Sequence, residues 1–217
     1  MSLRLIIGNK NYSSWSMRPW IAMKVAGLPF EETLLPLYRP GSRDEVLKYS
    51  PAGKVPVLID GDAVVWESLA ILEHLAERFP AAKLWPQDRA ARGMARSISA
   101  EMHAGFVDLR SHFPMNMRRD RARRRELTPG AAANVQRIDE MWQDALRRFG
   151  GEGPFLFGAF CAADAMYAPV VSRFASYSIP VSEVARAYMD AVMALPAWKE
   201  WEEAGRVEEW VMENNEV

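Results

Sequence analysis

Cysteine is nearly missing from this 217-residue chain, which has only Cys161. A lone thiol excludes an intrachain disulfide framework, a Cys-x-x-Cys redox pair and any multi-cysteine metal site, and it makes a reducing compartment the simplest home. Histidine is almost as scarce: His74, His103 and His112 lack the close spacing of a ligand cluster, so no metal is expected. Charge of one sign is missing as well. The 27 Lys and Arg balance 28 Asp and Glu, so nothing draws the whole chain to nucleic acid or to an anionic membrane. No apolar run approaches the roughly 20 residues of a membrane span, and the N-terminal run is too short for a secretory signal. There is no internal repeat and no low-complexity tract. The expectation is a cytoplasmic protein whose partners are small molecules or other proteins.

With 49% hydrophobic residues the chain can bury a sizeable core, and its pattern changes character once along its length. "LRLII" (3–7) reads as a buried strand, and Met17, Ile21, Val25 and Leu28 then recur at helical spacing. Pro19 has no amide hydrogen and is harmless only in a first turn, so this helix is expected to begin near Ser16. "EETLLPL" (31–37) reads as a second strand, and "SRDE" (42–45) as a capping box opening a short helix to about Tyr49. "VPVLID" and "AVVW" flank the turn "DGD" as a hairpin, and "ESLAILEHLAERF" places Leu69, Leu72, Leu75 or Ala76, and Phe79 on one helical face. The first eighty residues therefore read βαβαββα. After a proline-bracketed link the alternation stops. A stripe from Ala91 to Phe113 predicts one long helix capped by Asp88, Thr128-Pro129 opens another to Gly150, and further helices fit 162–177, 182–195 and 197–204. The division is 1–80 for an α/β domain, 81–87 for a linker and 88–217 for an all-helical domain.

Three stretches carry candidate chemistry. In "NYSSWS", Ser13 and Ser14 stand between strand and helix; a hydroxyl there caps the helix or donates to a ligand thiolate or anion. In "KVPVL", Pro56 opens a strand. A trans proline would simply break helix, whereas a cis one would turn the Val55 backbone outward to pair with an extended peptide ligand beside Lys54. In "WESLAIL", Glu67 and Ser68 start a helix, as caps or as partners of a ligand ammonium and carboxylate.

In their order and spacing, "NYSSWSMRPWIAMKVAGLPFEE", "SPAGKVPVLIDGDAVVWESLAILEHLAERFP" and "GAFCAADAMYAPV" resemble a cytosolic glutathione transferase over nearly the whole chain. The resemblance implies a thioredoxin-like α/β N-terminal domain, an all-α C-terminal domain, glutathione as co-substrate and a homodimer. "YSSWS" is similar to the serine motif of the zeta class and its bacterial relatives, which implies that Ser13, with Ser14 beside it, meets the glutathione sulfur. By the same resemblance Val55 and Pro56 pair with the cysteinyl part, Lys54 reaches the glycyl carboxylate, and Glu67 and Ser68 hold the γ-glutamyl end. The implied reaction is attack of the glutathione thiolate on a small, apolar electrophile. The same fold also hosts glutathione-binding modules without turnover and glutathione-dependent isomerases.

The departures are specific. Trp15 stands where zeta proteins commonly have cysteine, which counts against maleylacetoacetate isomerase chemistry, and no cysteine in the N-terminal domain serves as a nucleophile. In "CAAD" (161–164), Cys161 takes the place of a Ser or Thr cap, with Asp164 left to bond the first amides. "RRDRARRR" (118–125) reads as a solvated face, and Met102, Phe106, Met115 and Met117 read as core.

Overall fold

A computed structural model describes residues 2–120 and 125–217. Its sheet has four strands, the first in sequence lying between the second and the third and the fourth forming an edge. The central strand β1 (Leu3–Ile7) runs parallel to β2 (Phe30–Leu34) and antiparallel to β3 (Val57–Asp60), and β3 pairs antiparallel with β4 (Ala63–Trp66). A parallel pair needs a crossover, and α1 (Ser14–Val25) supplies it between β1 and β2. Leu5, Ile6 and Ile7 are wholly buried because layers cover both faces of this strand. Two further helices, α2 (Ser42–Leu47) and α3 (Ser68–Arg78), complete the βαβαββα order.

The α1 helix starts two residues earlier than its proline suggests, with Ser13 as N-cap and Pro19 inside the helix. An interior proline costs about 3 kcal/mol. Met17, Trp20 and Ile21 each bury completely, at about 1.5–3 kcal/mol apiece, so packing outweighs the lost bond. The helix is enclosed because it packs on α3 of its own domain and on two helices of the second domain. In α2 the expected capping box is absent: Ser42 lies inside the helix, and the N-cap is Gly41 at φ 78° without a side-chain bond. The core face of α3 is Ser68, Ile71, Leu72 and Leu75, rotated from the expected one, and Leu69 and Phe79 remain partly exposed.

The second domain holds α4 (Arg89–Ala104), α5 (Val107–His112), α6 (Pro129–Ala145), α7 (Ala162–Ser176), α8 (Glu183–Ala194) and α9 (Pro196–Val207). Asp88 caps α4 as expected, accepting from the Ala91 amide at 2.8 Å, but the long helix breaks at Gly105. There the backbone becomes extended and Phe106 turns left-handed at φ 57°, which redirects α5 toward the first domain. Thr128 caps α6, which passes at its end into a wide turn over Leu146–Gly150 and stops at Gly151 (φ 53°) rather than at Gly150. In α7, Asp164 accepts from the Cys161 and Leu156 amides at 2.8 and 3.1 Å, and the Cys161 sulfur closes the box from the other side. Among the described residues no helix is long and apolar enough to cross a membrane, and no group of acids, His and Cys is placed to hold a metal.

The domains lock together at the turn between β1 and α1. Glu208, just past α9, accepts from the Lys10 and Asn11 amides at 2.5 and 3.0 Å. Asn11 Oδ1 in turn accepts from the Met117 and Arg118 amides at 2.7 and 3.0 Å. Arg118 donates to the Tyr12 hydroxyl at 2.7 Å and to the carbonyls of Glu208 and Trp210. Arg119 is buried against the Tyr177 ring and donates to the Ser176 carbonyl at 3.0 Å. The start of the arginine run is thus a tether, which corrects its reading as a solvated face; residues 121–124 lie outside the described residues. Gly205 of α9 sits so close that a Cβ there would meet the Asn11 nitrogen at 3.1 Å.

Replacing Glu208 with Ala leaves two buried amides without an acceptor. Denaturant unfolding is expected to show a loss of about 2–4 kcal/mol, with faster hydrogen exchange at Lys10 and Asn11. A loss below about 0.5 kcal/mol would place this lock elsewhere.

Candidate functional site

A cleft of about 1070 Å³ opens between the two domains. One wall comes from the α1 N-terminus and the loop ahead of β3, the other from α4, α5 and the C-terminal segment. Six of the seven residues singled out in the sequence line it: Ser13, Ser14, Lys54, Val55, Pro56 and Glu67. The Val55–Pro56 peptide is cis. Lys54 and Glu67 are exposed, so their charges stand in solvent until a ligand covers them.

Ser68 is the exception. It lies on the core stripe of α3, and its buried hydroxyl accepts from Arg18 Nη1 at 3.4 Å and faces Met166 Sδ at 3.9 Å. The side chain is therefore turned away from the cleft, which corrects its expected hydroxyl contact with a ligand. Its backbone begins α3, and no side chain caps that helix end. Uncapped amides at a helix N-terminus favour an anion. Glu67 before it holds φ 69°, a left-handed backbone costly for a non-glycine residue.

Ser13 and Ser14, also in the cleft lining, are almost buried. Ser13 Oγ accepts from the Ser16 amide at 3.4 Å and lies 2.8 Å from Ser16 Oγ, which accepts from the Gly8 amide at 3.0 Å. Ser14 Oγ accepts from Arg173 Nη2 at 3.3 Å. Arg173 comes from α7 and is itself buried; its other bonds run to the Phe113 carbonyl at 2.8 Å and the Pro169 carbonyl at 3.2 Å.

Two more guanidinium groups stand close by. Arg18 and Arg110 both lie over the Trp15 ring, at 4.1 and 4.7 Å from its centroid. Burial, with repulsion from Arg173 and Arg110 added, lowers the Arg18 pKa to about 9; burial, then Arg110, lowers that of Arg173 to about 10. Both still carry charge at neutral pH. His103 touches Trp15 edge-on and lies 3.4 Å from Glu67. Its pKa is held below the usual value chiefly by burial, against the pull of Glu67, so the ring is neutral at pH 7.

The cleft thus brings a carboxylate, two hydroxyls and several cations together between a thioredoxin-like domain and a helical one. The chain belongs to the glutathione S-transferase family: the model of its N-terminal domain matches residues 12–78 and that of its C-terminal domain matches residues 116–204. Glutathione S-transferase 1 of Dianthus caryophyllus is 43% identical over 84 residues, which is 38% of each chain. A probable maleylacetoacetate isomerase of Caenorhabditis elegans is 34% identical over 97 residues, 45% of each chain. The matched stretches thus span less than half of these curated relatives. A glutathione transferase homolog from Burkholderia, solved with bound glutathione, superposes with a TM-score of 0.71 at 24% identity, over 96% of this chain and all of that one.

Several cleft residues escaped the sequence reading. Arg173 had a signal, a lone arginine inside the apolar run "YAPVVSRFAS". Arg110 reaches the cleft because the helix breaks at Gly105, and His103 reaches it from the last turn of α4. Met212, Asn214 and Asn215 line it through the returning C-terminal segment, for which no local pattern exists. Of the methionines and aromatics read as core, Met102, Phe106 and Met117 are buried as expected, and Met115 is buried yet also lines the cleft.

Replacing Glu67 with Gln removes the one influence that raises the His103 pKa, so histidine NMR titration is expected to find it lower still. A rise in the variant would contradict the placement of these two groups.

Proposed function

We propose that the cleft binds glutathione and that its thiolate, held at the α1 N-terminus, attacks a small electrophile resting against α4 and α5. The observation that carries this reading is the convergence of six peptide-binding candidates on one cleft that ends at Ser13 and Ser14. Glutathione offers two carboxylates, an ammonium, a peptide backbone and a thiol. Lys54 and the uncapped start of α3 suit the carboxylates, Glu67 suits the ammonium, and the Val55 backbone suits the peptide. A solution thiol with a pKa near 8.5 is only a few per cent ionised at pH 7, so activation needs hydrogen-bond donors and positive charge at the sulfur. Ser13 contributes a donor at the α1 N-terminus, where the helix dipole also favours an anion.

The electrophile side mixes Val107, Pro114, Met115 and Met212 with Arg110 and His103. This narrows the expectation of a purely apolar co-substrate to one with an apolar body that tolerates a neighbouring cation. The relatives named as maleylacetoacetate isomerases favour a second reading, in which the same thiolate adds reversibly to a double bond; it uses the same residues and differs only in the electrophile. A cytoplasmic homodimer completes the reading.

The test is calorimetric glutathione binding joined to turnover with 1-chloro-2,4-dinitrobenzene. Lys54→Ala is expected to raise the KM for glutathione about tenfold with kcat little changed, since it removes uniform binding. Ser13→Ala is expected to lower kcat by about tenfold or more through thiol ionisation. Absence of glutathione binding to the wild type would refute the proposal, and binding without turnover on any electrophile, maleyl compounds included, would leave a glutathione-binding module.

A further inference from the structure

We propose that Arg173, reaching in from α7 and acting through Ser14, is the positive charge that holds the glutathione sulfur as a thiolate, so that the sulfur receives two hydroxyl donors. The inference rests on the glutathione reading above and adds a positioning residue from the helical domain.

The proton inventory leads there. Ser16 Oγ is fully buried and accepts from the Gly8 amide and from the Ser13 hydroxyl. Ser13 Oγ accepts from the Ser16 amide and gives its proton to Ser16, so it must turn that proton toward the cleft to donate there. Ser14 starts nearer that state. Its oxygen accepts from Arg173, which leaves its proton free for the cleft. A hydroxyl that accepts from a cation is polarised toward donating.

Arg173 itself has the chemistry of a charge awaiting a partner. Its bonds end on two carbonyls and one hydroxyl, none of them an acid. The charged and titratable groups around it are Arg110 from α5, Arg18 from α1 and Tyr177 at the end of its own helix, so its neighbours add positive charge. Buried charges are ordinarily paired, and a guanidinium that is both buried and lining a cleft points to an anion inside that cleft. On the glutathione reading the thiol sits at the α1 N-terminus, where Ser14 stands. Ionisation there loses the thiol proton to solvent and leaves S⁻ facing both hydroxyls, with Arg173 behind one of them.

The test is the thiol pKa of glutathione bound to the folded protein, read from thiolate absorbance near 240 nm against pH. Ser14→Ala and Arg173→Met are each expected to raise it by about one unit, and the double variant by no more than either alone, because the two act in series. Ser13→Ala should add to both. If Arg173→Met does not fold, Arg173→Lys and Ser14→Ala carry the test: Lys keeps the charge and should retain part of the shift. A wild-type pKa below that of free glutathione that Ser14→Ala or Arg173→Met leaves unchanged overturns this proposal alone and makes Arg173 a structural tie. An unshifted wild-type pKa, or no binding, overturns the glutathione reading with it.

Discussion

The cleft depends on one constraint, the fastening of the β1–α1 turn by the helical domain. A turn of this kind, free in solvent, would fluctuate among many backbone states at roughly 1–2 kcal/mol of entropy per residue fixed. Here Glu208 takes two of its amides, Asn11 returns two bonds to the segment after α5, and Arg118 ties Tyr12 to the chain beyond α9. The hydroxyls that follow at Ser13 and Ser14 inherit a fixed position. Hydrogen-bond donors act on a bound anion only if they are already oriented, because reorienting them costs what their bonds return.

This fastening divides the labour between the domains. The first brings a cis-proline loop, an uncapped helix start and two opposite charges at the rim. The second brings cations, Arg173 behind Ser14 and Arg110 beside Trp15. Three buried or half-buried guanidinium groups within mutual repulsion, one from the first domain and two from the second, would be an expensive arrangement around a cleft that met only neutral ligands. An anion at the serine end of the cleft relieves that expense. Trp15 fits the same logic: its ring faces give Arg18 and Arg110 a partner that is not an acid.

How much of this was legible in the sequence follows from the range of the interactions involved. Strand and helix order, the Asp88 and Thr128 caps and the hairpin at "DGD" are local, and periodicity and turn chemistry reveal them. The six candidates that line the cleft could be picked out because resemblance fixes their spacing. The errors fall where tertiary packing overrode a local rule. Pro19 sits inside α1 because enclosure outweighs a lost bond, and the stripe through Phe113 is cut at Gly105 so that α5 can reach the first domain. Ser68 turned inward because the core face of α3 includes it. Arg110, His103 and the residues after Met212 were hidden for a simpler reason: they come to the cleft across the domain junction, and no pattern within a dozen residues encodes that approach.

The central claim, that this cleft takes glutathione as its thiolate, is tested most directly by counting protons. Calorimetric titration of the wild-type protein at pH 7 in two buffers of different ionisation enthalpy gives the protons released on binding, for glutathione and for S-methylglutathione, which has no ionisable thiol. The account predicts release of close to one proton with glutathione and close to none with the methylated peptide. Equal release from both, with the two binding alike, would contradict it.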